Sequence, residues 1–222
     1  MPDQLSQAEE NYLKAIYKIS RQSGTPVSNN SISVEMNTSA ASVTDMINRL
    51  SQKDLIHYQK RKGVRLTDLG EITAIHLVRK HRLWETFLVE KLNFTWDEVH
   101  ELAEQLEHIQ SRELINRLDE FLDFPKYDPH GDPIPDENGR ITERQQVLLS
   151  QLPVGQKAVV VGVKDHSTPF LQYLERTGLL LGAELVIGER FAYDNSLQLE
   201  VADEQKLLIS QKVGQNLYVQ KK

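Results

Sequence analysis

Apolar positions open the chain at a helical period. Tyr12, Leu13, Ile16, Tyr17 and Ile19 make one stripe, which predicts a helix from Ser6 to Ile19, with Ser6 as its cap and acidic residues in its first turn. Ser23-Gly24-Thr25-Pro26 ends it. A short polar helix is expected over Ser28 to Met36, and Asn37-Thr38 breaks it. A third runs from Ser39 to Gln52, with Val43, Met46, Ile47 and Leu50 facing inward and Ser39, Ser42, Thr44, Asp45, Asn48 and Arg49 facing outward. Leu55 to Gln59 and Val64 to Leu66 then read as two strands joined by Lys60-Arg61-Lys62-Gly63. A long helix from Glu71 to Leu92 follows, then one starting near Thr95 and one over about Arg112 to Leu122 with Leu114, Ile115, Leu118, Phe121 and Leu122 for packing.

From Phe124 the pattern changes. Pro125, Pro129, Pro133 and Pro135 cannot sit inside a helix or a central strand, so this stretch is expected to be an extended linker in which His130 faces solvent and has no role. Beyond it, KAVVVGVK, AELVIGE, SLQLEV, KLLISQ and NLYVQ have strand character, with FLQYLERTG as the helical turn among them. A small five-stranded, SH3-like barrel is the economical solution. The fold class is therefore α+β. Residues 1–70 form a winged helix-turn-helix, 71–123 a helical domain, 124–150 a Pro-rich linker and 151–222 the small β-domain.

Charge sharpens the division. Residues 1–80 carry 11 Lys/Arg against 8 Asp/Glu, whereas residues 81–123 carry 4 against 11, within a chain of net charge −6. A basic head before an acidic middle fits a polyanion-binding unit that feeds a cation-binding one. The second helix of the helix-turn-helix offers Ser39, Ser42, Thr44 and Asp45 to a major groove. Lys60, Arg61 and Lys62 at the hairpin tip suit DNA phosphates, where each neutralised charge releases counterions. With no Cys there is no disulfide or thiolate chemistry. The N-terminus lacks a signal peptide's apolar core and no apolar run is long enough to span a membrane, so a cytoplasmic protein is expected.

The candidate chemistry lies between His81 and His108. His81 and Glu85 are one helical turn apart, and His100, Glu104, Glu107 and His108 share a second face. A charged helix face is ordinarily a solvated one. Three His and three Glu on two helices that fold back antiparallel can instead point at one divalent ion, and their nitrogen and oxygen donors suit Mn, Fe, Co, Ni or Zn.

With both motifs in hand, the chain resembles the diphtheria toxin repressor and manganese transport regulator family of metal-dependent repressors. The resemblance runs nearly end to end and is strongest in ENYLKAIY, RKHRLWE, VHELAEQLEH and the hinge GDPIP. It implies a winged helix, a metal-binding dimerisation domain and a C-terminal SH3-like (FeoA-like) domain. It makes His81, Glu85 and His100 an ancillary site, and Glu104, Glu107 and His108 with a first-helix group a regulatory site. Glu104 stands where iron-type members commonly have Cys, which tilts the metal toward Mn(II), with Fe(II) as the other candidate. Asn11 occupies the first-helix ligand position, with Glu10 as a possible substitute, and Lys14 stands where manganese-type members often carry a second acid. Asp165 or His166 falls near the family's ligands in the SH3-like domain.

The function so implied is not enzymatic. It is that of a homodimeric, metal-activated transcriptional repressor of metal-uptake genes, bound to a palindromic double-stranded DNA operator. Two rivals are a metallohydrolase built on the His/Glu helices, disfavoured because no nucleophile or oxyanion motif accompanies them, and a winged-helix regulator that does not respond to metal.

Overall fold

The computed structural model describes residues 5–201 and 205–222, Gln205 through its backbone alone. Part of the N-terminal stretch read for a signal peptide, residues 1–4, lies outside them. The chain divides into two compact units. The first holds residues up to His81 together with Glu104–Asn116 and Pro135–Arg140; the second holds Arg82–Ala103, Arg117–Ile134 and Ile141–Lys222.

In the first unit, caps and apolar stripes set the elements. α1 (Gln7–Ser23) starts at a capping box, in which the Ser6 hydroxyl accepts from the Glu9 N–H and the Glu9 carboxylate accepts from the Ser6 N–H. Ser28 and Ser39 cap α2 (Asn29–Glu35) and α3 (Ala40–Gln52) through their hydroxyls alone. β1 (Ile56–Gln59) and β2 (Gly63–Leu66) form an antiparallel hairpin, and Val27 bridges to Val64 beside it. Leu13 and Ile16 of α1, Ile32 of α2, Val43, Ile47 and Leu50 of α3, and Ile56 and Val64 of the hairpin are all buried in one core. This is the winged-helix arrangement the sequence implied.

α4 (Asp68–Leu92), α5 (Val99–Leu106) and α6 (Arg112–Phe121) follow. α5 begins later than expected: Thr95 opens a turn, its N–H bonded to the Glu98 carboxylate, and regular helix starts only at Val99. On α6, Ile115 and Leu118 are buried, but Leu114 and Phe121, expected to pack, are exposed.

The second unit is built on one antiparallel sheet. β3 (Val147–Leu148), β4 (Lys157–Val163), β5 (Glu184–Arg190), β6 (Leu197–Val201), β7 (Gln205–Ile209) and β8 (Leu217–Lys221) pair in the order β3-β8-β4-β5-β6-β7. The five expected strands are present; the sixth, β3, has only two residues, too few to show a period. The sheet does not close into a barrel, because β3 and β7 each pair on one side only. α7 (Thr168–Thr177) ends on Gly178, whose left-handed φ of 71° suits a glycine C-cap. Leu171 and Leu174 of this helix join Val160, Ile187, Leu199 and Val219 in the core.

The proline-rich stretch departs from expectation. It has turns rather than strands, but they are tightly held. The Asp128 carboxylate accepts from the N–H groups of His130 and Asp132, and the Ile134 N–H donates to the Lys126 carbonyl. Gly131, at φ 85°, lets this turn lie on β4, where a Cβ would collide with the Val161 carbonyl oxygen. Arg144 donates to the carbonyls of Gly131 and Val161 and lies over the Tyr127 ring. His130 is consequently 3% exposed, not solvent-facing.

Candidate metal centres and DNA-binding surface

In the first unit, α1 carries Glu10, Asn11 and Lys14 within about one turn, opposite Glu104, Glu107 and His108. The Glu107 carboxylate is fully buried, with its Oε2 2.6 Å from His81 Nδ1. The Lys14 ammonium donates to Glu107 Oε1 at 2.6 Å and Oε2 at 2.7 Å, and to Glu104 Oε1 at 2.5 Å. Burial pushes the Glu107 carboxyl up, but the His81 hydrogen bond and the Lys14 charge outweigh it and hold the group below its ordinary value. Beside these, Glu10 Oε2 lies 2.5 Å from His108 Nδ1, and Glu10 Oε1 accepts from Gln110 at 2.6 Å. Asn11 Oδ1 is buried without a hydrogen-bond partner among the described residues. A buried acceptor left so is costly, and a cation would satisfy it.

A second cluster lies in the second unit. Glu85, Asp128 and His130 are all buried, and each offers a ligand atom within 4.8 Å of the others. His130 Nδ1 is 3.6 Å from Glu85 Oε2 and 4.0 Å from Asp128 Oδ1. Its Nε2 lies 2.7 Å from the Trp96 carbonyl oxygen, and its ring is stacked on the Trp96 indole. Burial pushes the Asp128 carboxyl up to about 7, with the charges of Asp132 and Glu85 adding to it. Burial disfavours the His130 imidazolium, yet the hydrogen bond and charge of Glu85, then the Asp128 charge, raise it to about 9. Arg82 Nε is 3.5 Å from Asp128 Oδ2, and His100, its side chain 62% exposed, approaches Glu85 Oε1 at 3.4 Å. His166 Nε2 lies 3.6 Å from Asp132 Oδ2, and the Asp165 carboxylate caps the turn into α7 by accepting from the Ser167 N–H.

The six His and Glu residues, read as one facing constellation and by the resemblance as an ancillary and a regulatory site, divide between the units: His81, Glu104, Glu107 and His108 belong to the first, Glu85 and His100 to the second. His81 pairs with Glu107, while Glu85 pairs with His130 and His100. Sequence reasoning missed Asp128 and His130. Their signal was a His and two acids within Asp128-Pro-His-Gly-Asp132, a density of ligand types unusual for a plain linker.

The polar face of α3 is as expected, with a local addition. Ser39 Oγ accepts from the Ser42 N–H and lies 2.9 Å from Ser42 Oγ, while Thr44 donates to the Ala40 carbonyl. Ser39 and Thr44 therefore serve their own helix as well as facing outward. Asp45 is exposed, as are Lys60, Arg61 and Lys62 at the hairpin tip.

Three family models match successive parts of the chain. Residues 4–64 match the iron dependent repressor N-terminal DNA binding domain, residues 67–136 the iron dependent repressor metal binding and dimerisation domain, and residues 147–221 the FeoA domain. The iron-dependent repressor IdeR of Mycobacterium tuberculosis is 31% identical over 167 residues, 72% of each chain. A manganese-dependent transcriptional repressor solved in complex with manganese is 32% identical, with a TM-score of 0.85 over 96% of this chain and 100% of that one. The manganese regulator SloR is 36% identical, with a TM-score of 0.74 over 96% and 98%. The chain belongs to the diphtheria toxin repressor family of metal-dependent transcriptional repressors.

Proposed function

We propose that this member of the family is activated by Mn(II) or Fe(II), and that as a homodimer it represses metal-uptake genes from a palindromic DNA operator in the cytoplasm. The observation that carries the reading is the double duty of α1. Its Leu13 and Ile16 are part of the core on which the DNA-reading helix α3 rests, and its Glu10 and Lys14 bond to His108, Glu104 and Glu107. A centre at these residues therefore acts directly on the DNA-binding head.

The donors fit a divalent ion of the manganese and iron type. Glu10 or Asn11 from α1, with Glu104, Glu107, His108 and His81, would hold it in the first unit through oxygen and nitrogen alone. Glu85, Asp128 and His130 would hold a second, with His100 at its exposed side. When bound, such an ion supplies the positive charge that lets buried carboxylates and imidazoles converge. The residues of α1 then have one preferred position against Glu107 and His108, and the DNA-competent arrangement gains population because it binds the ion more tightly. Ser39, Ser42, Thr44 and Asp45 read bases, while Lys60, Arg61 and Lys62 hold phosphates. Ile72 and Leu114, exposed on α4 and α6, are suited to contact a second copy.

We read the chain as a regulator rather than a metallohydrolase, in keeping with a family of DNA-binding repressors. No helix of the described residues is long and apolar enough to cross a membrane. The test is binding to DNA from the protein's own promoter region with Mn(II), Fe(II), Zn(II) and a chelator in parallel. Equal binding in all four would overturn metal activation.

A further inference from the structure

The Lys14 ammonium has three N–H donors, and three carboxylate oxygens surround it at hydrogen-bond distance: Glu104 Oε1, Glu107 Oε1 and Glu107 Oε2. Both oxygens of a fully buried carboxylate are thus taken by one cation, and Oε2 is shared with His81 as well. The Lys14 side chain is itself only 17% exposed. This is the coordination expected of a bound ion, supplied by the chain itself.

We propose that Lys14 is a resident cation of the first centre, which competes with the metal for Glu104 and Glu107 and so sets the metal concentration at which that centre fills. The proposal rests on the reading of these carboxylates as metal ligands. A divalent ion that uses Glu107 must displace the ammonium or accept it as a like-charged neighbour; either lowers affinity. In the metal-free chain the ammonium keeps α1 tied to Glu104 and Glu107 and spares the buried Glu107 an unpaired charge. Lys14 is therefore a residue that determines metal affinity without being a ligand. Its flexible stem leaves the ammonium free to swing away once displaced.

The experiment is calorimetric titration of Mn(II) into the full chain and its Lys14→Met, Lys14→Gln, Lys14→Arg and Glu107→Gln variants, with metal-free melting as a second readout. Glu107→Gln identifies the binding phase that belongs to the first centre, because that phase should vanish. In Lys14→Met and Lys14→Gln the same phase should tighten by about tenfold or more, the scale of a close charge pair in a partly buried site, while metal-free melting falls. Lys14→Arg, which keeps the charge, should stay near the parent. Unchanged or weaker Mn(II) binding in both neutral variants overturns the role of Lys14, even where the Glu107 phase is confirmed. If Glu107→Gln removes no phase, the first centre itself is misread, and the role of Lys14 falls with it.

Discussion

His130 Nε2 lies 2.7 Å from the carbonyl oxygen of Trp96, so the ring nitrogen there carries a proton and donates it. In the neutral ring this leaves Nδ1 as a lone pair on the side of Glu85 and Asp128. A backbone carbonyl that fixes the tautomer in this way is the usual support of a metal-ligating histidine.

That geometry predicts proton release. The imidazolium, ordinarily at 6.5, is raised to about 9 in the folded chain, so His130 is charged near neutrality and must lose its Nδ1 proton to serve as a ligand. Mn(II) binding at the second centre should therefore release protons and tighten as pH rises toward 9. Without metal the sign is opposite. A raised folded value contributes stability that is full below about pH 6.5 and is lost as pH climbs through about 9, so metal-free melting should fall across that window. Calorimetry in two buffers of different ionisation enthalpy measures the protons, and a heat independent of buffer would contradict the assignment.

Glu107→Ala and His108→Ala should each abolish metal-stimulated DNA binding while circular dichroism shows an intact fold. Glu107 joins His81 to Lys14, and His108 pairs with Glu10, so each substitution removes one of the ties to α1. A variant that still responded to Mn(II) like the parent would show that the first centre does not control the DNA-binding head. Changes at the exposed His100 should be milder.

The hairpin tip offers a test by salt. Neutralising Lys60, Arg61 and Lys62 together should weaken binding to all DNA sequences about equally and reduce the slope of log affinity against log salt by roughly one for each phosphate no longer neutralised. Substitutions at Ser42 should instead change sequence preference. An unaltered salt slope in the triple variant would remove the hairpin from the DNA interface. Ser39→Ala should also cost about 1 kcal/mol of stability, because its hydroxyl caps α3.

Asn11 Oδ1, buried without a hydrogen-bond partner among the described residues, predicts the effect of a single atom change. Asn11→Asp supplies an anionic oxygen of nearly the same size, so Mn(II) affinity should rise and less metal should be needed for DNA binding. If Glu10 is the α1 ligand instead, Asn11→Asp should do little and Glu10→Gln should be damaging. Equal affinity in the parent and both variants would show that no side chain of α1 is tied by metal.

What the sequence determined by itself is local. Ser6 with Glu9, Ser28 and Ser39 announce three helix starts because a cap satisfies backbone donors within the same turn. The stripes of α1 and α3 and the five longer strands follow from periodicity. The His81/Glu85 and Glu104/His108 spacings place ligand types on common helix faces, which was enough to suggest metal. Partner choice was not legible, because a face says nothing of what stands opposite it. Only the tertiary structure decided that Glu107 takes both His81 and Lys14, and that Glu10 takes His108. It also decided the fate of His130, whose turn has no periodicity and is buried by Gly131 lying on β4 and by Arg144 binding Val161 across it. The open sheet has the same origin: whether β3 and β7 meet depends on curvature accumulated over six strands, and no single strand's sequence records it.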